Sequence, residues 1–312
     1  MRRVLPGETG PSGGPALTDV LGTCESWADG QVGVRRADGQ LVVFPAASIV
    51  SGKPVPPRPS VHRRLDASTA DRRAAAGWVP HEQEPLGEWV LRASAGFSSR
   101  GNSVLAIGDP GVPVAEAVAL VTRWYADRAL PARAHVVVDD VRPDPWTAAT
   151  LDALHAAGWT AYEQTHLMLA SSAKVARRLP GAEPDGLVHA TSVDAGWLAT
   201  DERAARFGEA ATRVLEAGEV TLATVREPDG DVIARGRATV HGDWVGVSGL
   251  WTREDRRGAG LGTAVLASLL RWGAERGATT AYLQVVAGNA RARGLYESLG
   301  FEVHHRYDYL QR

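Results

Sequence analysis

The sequence predicts an α/β (α+β) protein in which a small β module precedes two regions with mixed sheets. Runs of β-branched and apolar residues alternate with amphipathic helical stretches over residues 66–173, and they do so again over residues 185–312. Residues 17–57 instead hold short β-type runs separated by turn signals. At 312 residues the chain is long enough for two or three domains.

The composition is that of a globular chain. Hydrophobic residues make up 44% and charged residues 22%, with a formal net charge of -2, which argues against a disordered chain and against a dedicated nucleic-acid binder. Cys24 is the single cysteine and cannot form an internal disulfide. No apolar run reaches the roughly 18 residues that a transmembrane helix needs. We therefore expect a cytoplasmic protein without a membrane or nucleic-acid partner.

The N-terminal region divides into a tail, a β module and a linker. Residues 1–16 are rich in Pro and Gly and are predicted to be a disordered tail. From residue 17, Asp-Gly steps at 29–30 and 38–39 separate β-type runs, which is a hairpin signal. The module resembles an SH3-like barrel, and it either binds a partner or packs as an appendage. Prolines 54, 56, 57 and 59 then predict a stiff linker.

The first α/β region, residues 66–173, is predicted from its apolar periodicity and from the glycine that ends its second helix. The predicted strands are 89–94, 103–107, 135–138 and 162–169, and the predicted helices are 114–128 and 145–158.

The second region repeats this pattern after a basic, proline-containing joint at 174–184. Its longest helix has an apolar stripe at Leu261, Val265, Leu269 and Trp272. The predicted strands are 187–190, 220–225, 232–240, 244–251, 281–286 and 301–310, and the predicted helices are 202–216, the helix that runs from a glycine turn to 275, and 290–299.

That glycine turn has the sequence Arg257-Gly-Ala-Gly-Leu-Gly262. Its three glycines remove the Cβ atoms that would keep a ligand off the main chain, and they allow positive φ angles. The free N–H groups of the next helix point at an anion in this position, and Arg256 and Arg257 add positive charge. The turn therefore predicts a phosphate site, with a purely structural turn as the alternative.

The two α/β regions also resemble each other residue by residue. Residues 123–128 match 271–276 at an offset of 271 − 123 = 148, and residues 158–159 match 300–301 at an offset of 300 − 158 = 142. Two matches in the same order indicate an internal duplication. At the first offset the glycine turn lies opposite Asp109–Val114, where a carboxylate and two prolines replace the anion site. The first copy is therefore predicted not to bind phosphate.

Two motifs of the second copy together resemble the GNAT acyltransferase superfamily. They are Arg257-x-x-Gly260-x-Gly262 and, one strand later, Asn289-x-x-Ala292-x-x-Leu295-Tyr296 followed by Gly300-Phe301. The resemblance covers residues 185–312 well and 66–173 faintly. It implies two GNAT-like mixed-sheet domains behind the SH3-like module, the first degenerate and without a CoA loop, the second catalytic. The chain is then pseudo-dimeric in itself, as a monomer or a homodimer.

The resemblance implies acetyl-CoA as acyl donor, an amine as acceptor, and no metal. The pyrophosphate is expected on the turn, and the pantetheine arm on a strand that splays from its neighbour, with a bulge at Ser248-Gly249. The residues expected to bind acetyl-CoA are Leu250, Trp251, Thr252, Arg257, Gly258, Ala259, Gly260, Leu261, Gly262, Thr263 and Asn289.

Tyr296 matches the position of the family's general acid, which protonates the departing thiolate; the alternative is a core aromatic. A main-chain N–H at the end of the splayed strand is expected to polarise the thioester carbonyl. The general base stays unassigned, because a surface role is favoured for each of the candidates His241, Asp243 and Glu209, and water-mediated deprotonation is open.

The expected function is transfer of an acetyl group to a primary amine by direct attack, with a small molecule or amino acid favoured over a protein N-terminus or lysine. The alternative is a catalytically inactive CoA-binding pair that serves as a sensor or scaffold. Arg100, Asn102 and Ser103 of the first copy are expected to line the acceptor groove. His304 and His305 on the last strand are interpreted as structural.

Overall fold

The computed structural model of the chain describes residues 1–11, 13–36, 39–53 and 65–312. The chain divides into two compact units, residues 1–59 and 60–312. The predicted proline linker lies outside the described residues, as do residues 37–38 of the second predicted hairpin.

The N-terminal unit holds two three-stranded antiparallel sheets. Its strands are β1 (Arg2–Thr9), β2 (Pro15–Asp19), β3 (Thr23–Ala28), β4 (Gln31–Arg35), β5 (Leu41–Pro45) and β6 (Ile49–Ser51). The strand orders are β2-β1-β6 and β3-β4-β5, and over the described part of this unit no pairing closes the two sheets into a barrel. Asp29 and Gly30, with φ of 51° and 72°, form the predicted turn between β3 and β4.

The prediction of a disordered tail over residues 1–16 is wrong for β1. This strand lies in the centre of its sheet, between β2 and β6. The Met1 amino group donates to the Val20 carbonyl at 2.7 Å, and the Met1 side chain packs against a small core of Val20, Val32, Val34 and Phe44. The few apolar residues of this Pro- and Gly-rich stretch are enough for a strand because partners on both sides satisfy its main chain.

The second unit contains one 11-stranded sheet. Its strands are β7 (Glu82–Leu86), β8 (Trp89–Ala93), β9 (Val104–Leu105), β10 (Arg133–Val138), β11 (Thr160–Ser171), β12 (Leu187–Ala190), β13 (Glu219–Arg226), β14 (Val232–His241), β15 (Trp244–Thr252), β16 (Thr280–Val286) and β17 (Glu302–Gln311). Its helices are α1 (Ala67–Ala76), α2 (Val114–Ala126), α3 (Pro145–Ala156), α4 (Ser172–Ala176), α5 (Ala195–Ala199), α6 (Glu202–Phe207), α7 (Glu209–Leu215), α8 (Leu261–Glu275) and α9 (Ala290–Leu299). The single helix predicted over 202–216 is two helices, because Gly208 has a φ of 49° that ends the first.

The strand order is β12-β13-β14-β15-β16-β11-β17-β10-β9-β8-β7. The two α/β regions therefore share one sheet instead of forming the two separate sheets that the sequence predicted. The first half (residues 66–173) and the second half (residues 185–312) exchange their last strands. Strand β11 of the first half lies between β16 and β17, and β17 of the second half lies between β11 and β10, all in antiparallel pairs. The exchange leaves neither half with an open edge at the junction, and it brings residues of the first half next to strands of the second.

Helix α8 packs its predicted apolar stripe against the sheet of the second half. Val265 and Leu269 are fully buried in the main core, and Leu261 and Trp272 are partly buried against it. This packing fixes the direction of α8, so that its N-terminus lies directly after the end of β15.

A buried carboxylate connects α1 to two strands. Asp71 is fully buried and accepts hydrogen bonds from His135 Nε2 at 2.8 Å and from His305 Nε2 at 3.3 Å. Burial alone would raise the pKa of Asp71, but the two imidazoles outweigh that effect and hold this pKa below its ordinary value. His305 is therefore a structural residue, as expected.

We expect Asp71→Asn to lower the free energy of unfolding by about 1.5–3 kcal/mol, the range for hydrogen bonds to a charged group. Because the folded-state pKa lies below the ordinary value of about 3.9, this contribution is complete above about pH 4 and is lost as the pH falls further. Urea denaturation at pH 7 should therefore show the whole of this difference from wild type. Exposed Asp140→Asn is the control, and an equal loss of stability in both variants would contradict the role of Asp71.

Candidate active site

The strands β15 and β16 run parallel but pair over only part of their length. Their register extends from Trp244 opposite Thr280 to Val247 opposite Leu283. Residues 248–252 of β15 continue without a partner on β16, although they still pair with β14 on the other side. This open stretch leaves main-chain groups of β15 facing a gap, where an extended ligand can pair with them as an added strand would.

A bulge shapes the open stretch. Between the β14–β15 pairs Arg237–Ser248 and Arg235–Trp251, β15 holds one residue more than β14. Gly249 has a φ of 62°, a left-handed conformation that glycine adopts without strain. The bulge predicted at Ser248-Gly249 is confirmed, and it turns β15 away from β16.

Arg235 holds the bulge in place from the buried side. Its guanidinium donates to the Gly249 carbonyl at 2.7 Å and to the Thr200 hydroxyl at 2.6 Å, and it forms an ion pair with Asp201 at 3.2 Å. Arg235 is only 4% exposed. The sequence analysis missed this residue, although an arginine inside an apolar strand is a signal that a buried acceptor must be near.

The glycine turn joins the open end of β15 to α8. Gly258 and Gly260 have φ of 86° and 79°, and a Cβ on either would meet no atom within 4 Å. Gly262 is helical, and a Cβ there would lie 3.1 Å from the Thr252 hydroxyl. The first and second glycines are thus required by conformation, and the third by the close approach of the helix to the strand.

The N-terminus of α8 is uncapped. Gly260 is the N-cap residue, and no side chain accepts from the first turn. The N–H groups of Leu261, Gly262 and Thr263 have no acceptor among the described residues. Since α8 is a 15-residue helix, its positive end and these free donors form a site for an anion.

Three arginines lie at or just before this turn, and they differ in their partners. Arg253 and Arg256 both bind the carboxylate of Glu227, which lies between β13 and β14, so their charges are largely neutralised. Arg257 makes only a loose ion pair with exposed Glu254, at 3.6 Å, and a weak hydrogen bond to the Thr252 carbonyl at 3.4 Å. Arg257 is therefore the most available cation of the turn.

Tyr296 lies on α9 and packs partly against the main core, with its ring edge-to-face against Phe301 at 5.9 Å. Burial raises the pKa of its phenol. Its hydroxyl makes no hydrogen bond with any described residue. A phenol that stays protonated at neutral pH and has a free hydroxyl is suited to donate a proton.

Asn289 is the N-cap of the same helix, and its side-chain oxygen accepts from the Ala292 N–H at 3.0 Å. Helix capping alone accounts for an asparagine at this position.

The structure does not bring the candidate bases to the open stretch. His241 and Asp243 lie at the opposite end of β15, and six residues of strand, about 20 Å, separate Asp243 from the bulge. Glu209 is exposed at the start of α7. None of the three therefore gains support as a base.

A cavity of about 220 Å³ opens beside the bulge. Its wall combines Ser248 and Gly249 of β15 and Gln284 of β16 with residues of the first half, among them Arg100 and Glu163. The Glu163 carboxylate makes no hydrogen bond or ion pair over the described ranges. The sequence analysis missed Glu163, because no local signal indicates that β11 docks beside β16.

The polar loop of the first half contributes to this cavity in part as expected. Arg100 lines it. Asn102 is 1% exposed and organises the loop instead: its side chain accepts from the Ser94 N–H and donates to the Phe97 carbonyl. Ser103 is fully buried and binds Arg92. The expectation that Asn102 and Ser103 line the groove is therefore wrong, since their polar atoms are used inside the loop.

In the corresponding turn of the first half, side-chain carboxylates accept hydrogen bonds from main-chain N–H groups. Glu88 accepts from the Asp109 N–H at 2.7 Å, and the Asp109 side chain accepts from the Gly111 N–H at 2.8 Å. The N–H groups of this turn are thus occupied by acidic side chains, whereas those at the start of α8 have no acceptor among the described residues.

Comparisons with known proteins agree on the kind of protein. The chain is 28% identical over 301 residues to the probable histone acetyltransferase Rv0428c of Mycobacterium tuberculosis, covering 95% of this chain and 89% of the relative. It is 26% identical over 243 residues to the uncharacterized N-acetyltransferase YobR of Bacillus subtilis, covering 76% and 94%. The structure resembles a GCN5-related N-acetyltransferase from Kribbella flavida, with a TM-score of 0.53, 22% identity, and coverage of 80% of this chain and 95% of that one.

No helix in the described part of the chain is long and apolar enough to cross a membrane.

A family model described as the probable histone acetyltransferase Rv0428c C-terminal matches residues 66–310. Because this match spans more than half of the chain, the chain belongs to that family, within the GNAT N-acetyltransferase superfamily.

Proposed function

We propose that the protein transfers an acetyl group from acetyl-CoA to a primary amine by direct attack. The observation that carries the proposal is the open stretch of β15, which is followed, after one turn of 3-10 helix at Glu254–Arg256, by the glycine turn and the uncapped N-terminus of α8. The pantetheine arm pairs with Leu250, Trp251 and Thr252, and the pyrophosphate binds the N–H groups between Gly258 and Thr263. Arg257 adds a charge-assisted contact, and Asn289 supports the pantetheine from the start of α9.

The reaction requires a neutral amine, a polarised carbonyl and a protonated leaving group. The amine nitrogen forms a bond to the thioester carbon while a main-chain N–H of the open stretch stabilises the oxyanion. The carbon–sulfur bond then breaks, and Tyr296 gives its proton to the thiolate. We propose that Glu163 accepts the proton that the amine loses. Its carboxylate lies in the adjacent cavity and makes no hydrogen bond or ion pair over the described ranges.

Four further points extend the proposal to the acceptor, the first half, the N-terminal unit and the location of the protein. The relative named a probable histone acetyltransferase suggests lysine side chains of a protein as an alternative acceptor. We propose that the first half binds no CoA, because acidic side chains occupy its turn. We further propose that the N-terminal unit is an SH3-like module that binds a partner or packs as an appendage, and that the protein acts in the cytoplasm.

The test is a screen of amines that follows thiol release from acetyl-CoA, together with the melting temperature with and without acetyl-CoA. We expect acetyl-CoA to raise the melting temperature, since a ligand of the native state stabilises it, and we expect at least one class of amine to release thiol. A stabilising effect without turnover of any amine would instead support an inactive CoA-binding sensor or scaffold. No stabilisation at millimolar acetyl-CoA would contradict the proposal.

A further inference from the structure

One arginine of the cavity beside the bulge has no hydrogen bond or ion pair among the described residues. Arg100 lies on the loop between β8 and β9, with its guanidinium stacked 4.7 Å over the Trp78 ring. Among the described residues it makes no hydrogen bond or ion pair, and its Nε–H is buried without an acceptor. Buried donors in native proteins almost always have an acceptor, so a free guanidinium held at a cavity wall indicates that the acceptor comes from a ligand.

The charges around the cavity favour an anion near Arg100. Asp201 is used by Arg235, at 3.2 Å, and by the N-terminus of α6. Arg203 at the rim has no ion pair in the described part of the chain, so two arginines remain against the single free carboxylate of Glu163. The free charges of the cavity wall are thus the cations of Arg100 and Arg203 and the anion of Glu163.

Two polar groups of this wall, Ser248 and Glu163, are suited to bind an amine. Ser248 Oγ is buried without a hydrogen-bond partner among the described residues, and it lies on β15 beside Gly249, where the open stretch begins. An amine bound by Ser248 and Glu163 would lie beside the start of the open stretch, and the rest of the molecule would occupy the cavity that Arg100 also lines. The volume of about 220 Å³ is below the range of about 300–1,000 Å³ for drug-sized ligands, so this molecule is small.

We propose that the acceptor is a small amine that also carries a carboxylate, of the amino acid class, and that Arg100 binds this carboxylate. The inference rests on the proposed function and names its substrate class. A planar guanidinium binds a carboxylate through two parallel hydrogen bonds. A protein lysine as acceptor offers its amine without a carboxylate beside it, so it would leave Arg100 unpaired. Arg100 is a specificity-determining residue in this proposal, since it touches the substrate far from the reacting bond.

The test compares each L-amino acid with its primary amide, which keeps the amine and removes the anion. We expect kcat/KM for the acids to exceed that for the amides by about 10- to 100-fold, the value of a charge-assisted pair. Arg100→Gln should abolish this preference by raising KM for the acids, with the amides unchanged. Arg100→Lys should retain part of the preference, and Arg206→Gln, on α6 but outside the cavity wall, should behave as wild type.

Binding is measured separately, as the additional rise in melting temperature when each acid or amide is added to protein saturated with CoA. Turnover of amines without a preference for acids would overturn this inference and leave the proposed function standing. Binding of acids that depends on Arg100, without any turnover, would overturn the proposed function and leave Arg100 as the residue that binds the carboxylate. A preference for amides or for lysine peptides, or an equal effect of Arg100→Gln on both members of each pair, would also overturn the inference.

Discussion

Replacing Tyr296 with phenylalanine is expected to lower kcat for acetyl transfer by about 10²- to 10⁴-fold, the usual contribution of a general acid. The phenol is the proton donor in the proposed mechanism, and its ring packs against the main core and against Phe301. Phenylalanine keeps that packing and removes only the hydroxyl, so the stability and the acetyl-CoA-induced rise in melting temperature should not change.

The pH dependence of kcat follows from the same group. Burial raises the pKa of Tyr296 above its ordinary value of about 10, so the acid is protonated throughout the neutral range. In wild type, kcat should therefore show a fall above about pH 10, and this fall should be absent from Tyr296→Phe. Such a profile separates loss of an acid from loss of packing.

Tyr125→Phe is the matched control. The Tyr125 hydroxyl is buried in the first half and donates to the Arg92 carbonyl at 2.8 Å. This variant should lose about 1 kcal/mol of stability and keep its kcat. If both variants have the same kcat as wild type, the thiolate receives its proton from another group and Tyr296 is only a core aromatic.

The parts of the site that the sequence could predict are those fixed by local chemistry. The Gly258 and Gly260 conformations follow from a turn before a helix, and Gly249 follows from a glycine inside a strand. The stripe of Val265 and Leu269 follows from helical periodicity. Each of these depends on residues within about ten positions of one another, so one stretch of sequence contains the whole cause.

The parts that the sequence could not predict depend on pairing over long distances in the chain. Glu163 reaches the cavity only because β11 docks between β16 and β17, and the alternation of its own strand gives no sign of that. The expectation for Asn102 was wrong for a local reason. Its side-chain amide is hydrogen-bonded within its own loop, and composition alone does not reveal such hydrogen bonds. The proposed acceptor side of the site thus depends on topology, and the proposed acetyl-CoA side depends on local sequence.

Gly260→Asp is expected to abolish the stabilisation of the protein by acetyl-CoA. At a concentration of 100 times Kd, wild type should gain about 2.7 kcal/mol, or roughly 5–10 °C in melting temperature for a unit of this size. A carboxylate at position 260 repels the pyrophosphate and competes for the N–H groups of α8, as Asp109 and Glu88 do in the first half. Loss of two charge-assisted hydrogen bonds lowers the affinity by at least about 10²-fold, so the gain falls below about 0.5 kcal/mol.

The control for backbone strain is Gly158→Asp. Gly158 has a φ of 81° and, like Gly260 with 79°, open space around an added Cβ. Both variants therefore carry the same cost of an aspartate in the left-handed region, but Gly158 follows α3 in the first half, away from the turn. Only Gly260→Asp should lose the response to acetyl-CoA. A full response in both variants would mean that the pyrophosphate binds elsewhere than the N-terminus of α8, and a lost response in both would mean that strain, rather than charge, abolishes binding.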